Sequence, residues 1–369
     1  AVSSHRPHQH RQLRLRDVLE DEVGLDAGDL VAAGERVHGE VAEVVGVSGG
    51  TVSRALGGLR SVVWVSGGRI QKIASDLDYV ISPSASRLAS GRTGSIAVIT
   101  PYIARWFFST VLSGVESVLQ NAGMDLLLMS VSTPDGQHRL PPAPRLRRRV
   151  DGVLVISLPP QDAQLHEVLG LHMPTSLIGV TLAGVPSVTI DDVLAGQIAT
   201  QHLINLGHTR IGVITGAPID APYTAEHDRY RGFQQAMAGA GLAVDPMLEA
   251  YGYFTIAGGE QAMTALLTQK VPPSAVFAMS DEMAFGAMKA MRSHGLQPGK
   301  DISLIGIDGH DMSEFLDLTT VVQPVQDLGR IAAEALVLQL RTPGGEVSAD
   351  SIRLPTQLIV RGSTSPMRD

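Results

Sequence analysis

Short apolar runs recur along the chain from about residue 94, and each is followed by room for one helix. Most are four or five residues long and rich in Val, Ile and Leu. They lack the strict alternation of a half-exposed strand, as is typical of strands buried on both faces of a parallel sheet. The runs lie at residues 96–99, 126–129, 153–156, 177–178, 211–214, 275–279 and 304–307.

The segments between these runs have helical spacing. Residues 111–121, 195–206 and 281–294 each end just before a glycine, which is a common helix stop. Alternating strands and helices predict an α/β architecture of doubly wound parallel sheets for residues 94–369. The pattern restarts near Asp191 and Asp192, which favours two similar lobes over one large sheet.

Residues 40–56 can be interpreted in two ways. Gly46, Ser48 and Gly50 match G-x-S-x-G, the nucleophile elbow of an α/β-hydrolase. An elbow needs several sheet strands before it, and only 45 mostly polar residues precede this one. The pattern therefore disfavours a hydrolase, and we expect no catalytic residues and no enzyme.

The other interpretation is a helix-turn-helix, with a first helix over 40–45, a turn at Gly46 and Ser48 as the N-cap of the second helix. Val52, Ala55 and Leu56 then face inward. Three side chains remain free for phosphates or base edges: Thr51, Ser53 and Arg54. With a third helix over about 68–77, we predict a DNA-binding headpiece at residues 40–80.

Residues 81–93 carry the signals of a short linker helix. Ser82 and Pro83 form a proper helix start, and Gly91 a proper stop. A helix of two turns is marginal alone. The segment is either a helix that forms only in a complex or a plain linker.

The charge distribution changes what the composition implies. The formal net charge of -8 argues against a nucleic-acid partner, because phosphate neutralisation needs Lys and Arg. Residues 41–95, however, carry six basic and three acidic side chains, whereas residues 96–369 carry 18 and 26. A basic module beside an acidic body permits DNA binding at one end.

Composition also excludes several classes of protein. The chain of 369 residues has no Cys, which rules out disulfides, thiolate zinc sites and a cysteine nucleophile. No apolar run approaches the length of a membrane span, so we expect a cytoplasmic protein. Residues 1–39 are expected to be disordered or to hold a loosely attached helix near Asp17 to Val23. Their His5, His8 and His10 lack further ligands, so no metal or other cofactor is predicted.

Together these motifs resemble the LacI-type transcription regulators, the lactose-repressor/galactose-repressor family, over residues 40 to about 363. The N-terminal match is carried by residues 41–56, which resemble the family's headpiece, and by residues 87–99, which resemble its hinge and first core strand. Later matches are His202 to His208, Arg229-x-x-Gly-Phe, Ser280-Asp-Glu-Met-Ala, Leu304-Ile-Gly-Ile-Asp and Leu318 to Pro324. Their order along the chain makes the resemblance specific.

The resemblance implies a homodimer that binds a pseudo-palindromic operator. Ser48, Thr51, Ser53 and Arg54 would contact DNA from the headpiece. Arg87 and Leu88 would do so from the hinge, where the family inserts a leucine between base pairs. Gly49 and Gly50 depart from the pattern, because they stand where members often carry base-reading side chains.

The resemblance further implies a two-lobed core like a periplasmic sugar-binding protein, with an effector in the cleft. Lobe 1 would comprise about 94–191 and 323–345, and lobe 2 about 192–322 and 346–363, with crossings near Asp191, Val321 and Thr342. The implied effector-binding residues are Trp106, Phe107, Phe108, Arg229, Phe254, Ser280, Asp281 and Asp308. The alternative is that the three phenylalanines are ordinary core, Trp106 lies at the surface, and Arg229 and Asp308 form a structural ion pair. Gly179 stands where many members carry an Asp that touches the effector.

The expected function is a transcriptional regulator, a repressor of carbohydrate-utilisation genes switched by a sugar-like effector. The alternative is a sugar-binding protein whose glycine-rich headpiece is vestigial.

Overall fold

A computed structural model of the chain describes Ser48 and residues 92–131, 143–216, 224–342 and 350–367. The predicted helix-turn-helix and linker helix, with Thr51, Ser53, Arg54, Arg87 and Leu88, lie outside the described residues. Ser48 is exposed. Residues 94–369 belong to one compact unit, and the architecture below is that of this unit.

Lobe 1 contains a parallel sheet with strand order β11-β5-β4-β3-β1-β2. Its strands are β1 (Ser95–Thr100), β2 (Asp125–Ser130), β3 (Gly152–Ile156), β4 (Thr175–Ile178), β5 (Ser187–Ile190) and β11 (Ser351–Leu354). Its helices are α1 (Trp106–Ala122), α2 (Ala143–Arg147), α3 (Ala163–Leu169) and α9 (Val325–Arg341).

Lobe 2 repeats this arrangement with strand order β12-β10-β9-β8-β6-β7, in which β12 is antiparallel to β10 and the other described pairs are parallel. Its strands are β6 (Ile211–Thr215), β7 (Glu249–Tyr251), β8 (Ala275–Ala278), β9 (Ser303–Asp308), β10 (Thr319–Val322) and β12 (Gln357–Ile359). Its helices are α4 (Asp192–Asn205), α5 (Thr224–Gly239), α6 (Ile256–Leu267), α7 (Asp281–Ser293) and α8 (Met312–Phe315), and a 3-10 turn spans Pro246–Leu248.

Strand β1 shows why the apolar runs do not alternate with polar residues. Ile96 and Val98 are buried in one hydrophobic cluster, while Ala97 and Ile99 are buried in another. Successive strand residues point to opposite faces, so both faces of this sheet are covered. The predicted α/β fold of doubly wound sheets is confirmed.

Within the part of the chain that the structure describes, three segments join the lobes. Two follow β5 and β10, near Asp191 and Gln323, close to where the sequence placed them. The third lies between Leu354 and Gln357, because β11 pairs with β5 of lobe 1 and β12 pairs with β10 of lobe 2. The expectation of a crossing near Thr342 is wrong, because α9, which ends at Arg341, and β11, which begins at Ser351, both pack in lobe 1.

Helices within each lobe approach closely through glycines. A Cβ added to Gly114 of α1 would lie 2.0 Å from the carbonyl oxygen of Gln326 in α9, and one on Gly196 of α4 would lie 2.2 Å from that of Arg229 in α5. The second contact lets α5 lie against the start of α4, which brings Arg229 to Asp192.

Among the described residues, no helix is long and apolar enough to cross a membrane. The same residues contain no group of three or more side chains arranged to hold a metal ion.

Candidate functional site

A cavity of about 780 Å³, including its open mouth, lies between the lobes at the carboxyl ends of their strands. In open α/β sheets this edge is where ligands bind, because the loops that follow the strands converge there. Lobe 1 contributes Tyr102, Arg105, Phe107, Phe108, Ser157, Gly179, Ile190 and Leu328. Lobe 2 contributes Asp192, Ala225, Glu226, Arg229, Phe254, Ser280, Glu282 and Asp308, and Gln323 lies at a crossing.

Arg229 of α5 is the buried cation of this site. Its Nε donates to Asp192 Oδ1 at 2.8 Å, and its Nη1 donates to the Met279 carbonyl oxygen at 2.6 Å. The same Nη1 lies 3.8 Å from Asp308 Oδ1. Burial alone would lower the pKa of Arg229, but the charges of Asp192 and Asp308 outweigh it and raise the pKa. Arg229 is therefore a fixed positive charge with a defined orientation.

Asp308, the last residue of β9, contributes a buried carboxyl group to the cavity lining. Its Oδ1 accepts a hydrogen bond from Gln323 Nε2 at 2.7 Å, and its Oδ2 accepts one from the Asp281 N–H at 3.3 Å. Burial raises the pKa of Asp308 to about 8; the nearby Arg229 opposes the shift and the charge of Asp281 reinforces it. Asp308 can therefore exchange a proton near neutral pH.

Aromatic rings form the apolar wall. Phe108 packs edge-on against Tyr102 and Phe107, with ring centroids 5.6 and 5.2 Å away. Opposite them, the Phe254 ring lies on Gly216 at the end of β6, where a Cβ would come within 1.9 Å of the ring. Phe254 also has a positive φ of 51°, a strained conformation for a residue with a side chain. Gly216 thus creates the space that admits this ring to the cleft.

The rim of the cavity carries a second set of charges. The Arg105 guanidinium lies 3.6 Å above the Tyr102 ring, a cation–π contact. Burial raises the pKa of Glu282 on the facing lobe, and the charge of Arg105 opposes that shift. With Asp192, Glu226 and Asp308, the lining holds four carboxyl groups against two guanidinium groups. Burial raises the pKa of three of these carboxyl groups, those of Asp192, Glu282 and Asp308, so the count of groups is not a count of negative charges.

Six of the eight residues expected to bind an effector line this cavity: Phe107, Phe108, Arg229, Phe254, Ser280 and Asp308. Phe108 is buried and packs in the core as well. Arg229 and Asp192 form the closer ion pair, and Asp308 lies farther from the guanidinium.

The other two expected residues, Trp106 and Asp281, lie beside the lining. Trp106 stacks on His310 of lobe 2. Asp281 is fully buried, and its carboxylate accepts hydrogen bonds from the loop after β9. Trp106 and Asp281 are the first residues of their helices and each adjoins a lining residue in sequence, but their own side chains point away from the cavity.

Several lining residues were missed by the sequence analysis, among them Arg105, Asp192, Glu226, Glu282 and Gln323. Asp192 and Gln323 each follow a strand at a crossing between the lobes. Because ligands bind at the carboxyl ends of such strands, the sequence could have predicted both residues as part of the site. Glu226 and Glu282 lie in helices, where nothing in the sequence separates them from exposed acids. Gly179 also lines the cavity, with φ 77° and space for a Cβ blocked by Ser157 Oγ at 2.7 Å.

Comparison with known proteins gives the following matches. The family model described as a periplasmic binding protein-like domain matches residues 200–364. The transcriptional repressor CytR of Escherichia coli is 36% identical over 276 residues, covering 73% of this chain and 79% of CytR. The transcriptional regulator DegA of Bacillus subtilis is 31% identical over 336 residues, covering 89% and 98%.

Two solved structures share the architecture. The transcriptional regulator CelR in complex with cellobiose is 30% identical with a TM-score of 0.64, covering 88% of this chain and 98% of CelR. The lac repressor dimer bound to operator and the anti-inducer ONPF is 25% identical with a TM-score of 0.77 and the same coverage.

Proposed function

The chain belongs to the LacI family of transcriptional regulators, and from this premise we propose that it is a homodimeric repressor of carbohydrate-utilisation genes. Its operator affinity is switched by an uncharged sugar-like effector in the cleft between the lobes. The observation that carries the effector class is the cavity itself, in which a buried Arg229, Asp308 and Gln323 face the rings of Phe107 and Phe254.

This set of side chains suits a polyol. Arg and Asp form charge-assisted hydrogen bonds with vicinal hydroxyls, and an aromatic face packs on the C–H surface of a sugar ring. CelR, whose solved complex contains cellobiose, supports the same ligand class. Phosphorylated sugars are disfavoured because Arg229, the buried cation, already donates to Asp192 and to the Met279 carbonyl oxygen.

The DNA-binding half of the proposal rests on the basic segment at residues 41–95 and on the family. Ser48, Thr51, Ser53 and Arg54 are the proposed headpiece contacts, with Arg87 and Leu88 in the hinge. The lac repressor solved as a dimer on its operator supports a homodimer that presents two headpieces to DNA.

DNA binding is tested with the full chain and fragments of its own genome, selected by filter retention and then measured by fluorescence anisotropy. We expect a palindromic fragment whose affinity falls steeply with salt, because Lys and Arg displace counterions from phosphates. Arg54→Ala should weaken binding to every fragment, whereas Arg353→Ala, an exposed arginine of the core, should not. A chain that binds sugar but no fragment would support the alternative of a binding protein with a vestigial headpiece.

The effector class is tested by a thermal-shift panel of mono- and disaccharides, sugar phosphates and nucleobases on the full chain. At least one uncharged sugar should raise the melting temperature, and the phosphates should not. Phe254→Ala should abolish the shift, whereas Phe315→Ala, an exposed phenylalanine of lobe 2 that is not part of the cavity lining, should retain it. A shift with a nucleobase and none with a sugar would overturn the effector class.

A further inference from the structure

A contact between the lobes lies next to the cleft and outside its lining. Trp106, the first residue of α1, stacks on His310, which follows β9 of lobe 2. Their ring centroids are 4.7 Å apart and their planes differ by 25°. Trp106 Nε1 also lies 3.4 Å from Asp311 Oδ2. Phe285 of α7 also packs edge-on against His310, with ring centroids 5.0 Å apart.

The His310 ring is held in place from its own lobe. Its Nδ1 accepts the backbone N–H of Met312 at 3.0 Å, which fixes the ring orientation. The buried Asp281 accepts the backbone N–H groups of Gly309 and His310, each at 2.9 Å. The hydroxyl groups of Ser313 and Thr320 also donate to Asp281, at 2.8 and 2.7 Å. Four donors on one buried carboxylate fix the loop that carries His310.

In each lobe, one residue connects the Trp106–His310 contact to the cavity lining. In lobe 2, the backbone N–H of Asp281 donates to Asp308 Oδ2. In lobe 1, Phe107 follows Trp106 directly and lines the cavity. A displacement of Asp308 or Phe107 by a ligand would therefore reach the stacked rings without any intervening flexible segment.

We propose that Trp106 and His310 form a clasp that holds the two lobes closed beside the cleft, and that Asp281 is the positioning residue that connects this clasp to Asp308. The stacked rings are present only when the lobes are close, so they favour the closed population. The consequence for regulation rests on the proposed function, whereas the clasp itself requires no ligand.

The absence of cysteine from the sequence provides a clean test. A single thiol introduced by Ser157→Cys lies in the cavity wall, and its rate of reaction with N-ethylmaleimide in the full chain measures how often the cleft opens. Adding His310→Ala should raise this rate at least threefold. His294→Ala, which removes an exposed histidine of the same lobe, should leave it unchanged. Equal rates for His310→Ala and His294→Ala would overturn the clasp.

A variant from the other lobe guards against local misfolding around His310. Trp106→Leu should accelerate labelling as His310→Ala does, and Trp106→Phe, which retains a ring to stack, should largely restore the parent rate. Trp64→Phe leaves Trp106 as the single tryptophan. In that background, acrylamide should quench the fluorescence of Trp106 at least twofold more strongly when His310→Ala is added. Unchanged quenching contradicts the stack.

The connecting role of Asp281 has its own test. Asp281→Asn keeps the shape of the side chain but replaces one acceptor oxygen by a donor, so it should increase labelling of the Ser157→Cys thiol. Ser313→Ala removes only one of the four donors and should have a smaller effect. A parent-like rate for Asp281→Asn, with a raised rate for His310→Ala, would overturn the connection. Failure of the wild-type chain to bind sugar or DNA would refute the proposed function separately, because these rates need neither ligand.

Discussion

Gln323 donates from Nε2 to Asp308 Oδ1 at 2.7 Å, and its backbone N–H donates to the Asp308 carbonyl oxygen at 3.1 Å. Gln323 is also the residue at which the chain passes from β10 of lobe 2 to α9 of lobe 1. Asp308 is thus bonded to this crossing twice, once through its carboxylate and once through its backbone carbonyl oxygen. A ligand that engages Asp308 therefore contacts a residue that is bonded directly to a segment joining the two lobes.

The raised pKa of Asp308 predicts a pH-dependent ligand affinity. A sugar hydroxyl donates to the ionised carboxylate, so binding favours the form that exists above the pKa of about 8. The dissociation constant for the sugar that gives the largest thermal shift should fall as pH rises from 6 to 8, by up to about tenfold per unit. It should level off above that range. Titration calorimetry checks the slope, and Asp308→Asn should remove it; a pH-independent wild-type affinity would contradict the assignment.

Arg229 and Arg353 form a matched pair of tests, because they contact the adjacent residues Asp192 and Asp191. The Arg229 and Asp192 side chains are 6% and 12% exposed, whereas those of Arg353 and Asp191 are 65% and 33% exposed. Arg229→Met leaves a buried carboxylate without its cation and should lower the free energy of unfolding by about 3–5 kcal/mol. Arg353→Met should lower it by about 1 kcal/mol or less. Urea unfolding measures both, and similar losses would refute the argument from burial.

The fold was predictable from the sequence because its strands have apolar residues on both faces. The runs at 96–99 and 153–156 lie within β1 and β3, and Gly123 ends α1 in the left-handed conformation with φ 68°. The segments that were not predicted, such as β11, are different. β11 is largely exposed, with the sequence Ser-Ile-Arg-Leu, and only its pairing with β5 makes it a strand.

The sequence predicted which residues lie near the cavity, but it did not predict which of their side chains point into it. Arg229 and Asp308 were placed in the cleft by their motifs, and both line it. Trp106 and Asp281 are neighbours of lining residues in sequence, and their side chains turn to the loop after β9 instead. Which way they turn depends on His310, a residue more than 200 positions from Trp106, and no local pattern encodes that contact.

The close approach of α1 and α9 predicts a strong effect at a single glycine. A Cβ on Gly114 would lie 2.0 Å from the backbone oxygen of Gln326, so the helices must separate. Gly114→Ala should cost about 1–3 kcal/mol or more in the free energy of unfolding. Gly239→Ala, at the end of α5 with nothing within 4 Å of its added Cβ, should change it by less than about 1 kcal/mol, in the stabilising direction. Thermal melts compare the two, and equal effects would show that α1 and α9 are not in such close contact.

His208 predicts a loss of stability on the acid side of neutrality. Its Nε2 lies 2.9 Å from Ser303 Oγ and 3.0 Å from the Ser365 carbonyl oxygen, so it joins the C-terminal segment to β9. Burial lowers the pKa of His208 below its ordinary value of 6.5, and the hydrogen bond to Ser365 only partly opposes this. The unfolded chain therefore binds more protons just below pH 6.5, and stability should fall as pH drops through that value.

The melting temperature of the full chain between pH 7.5 and 5 should show this fall, and His208→Gln should make it shallower. His202, whose pKa is also lowered by burial, accounts for part of the slope that remains. His294→Gln, at an exposed helix end, should retain the wild-type slope. If His208→Gln also retains it, the acid sensitivity arises elsewhere and the C-terminal segment is held independently of His208 protonation.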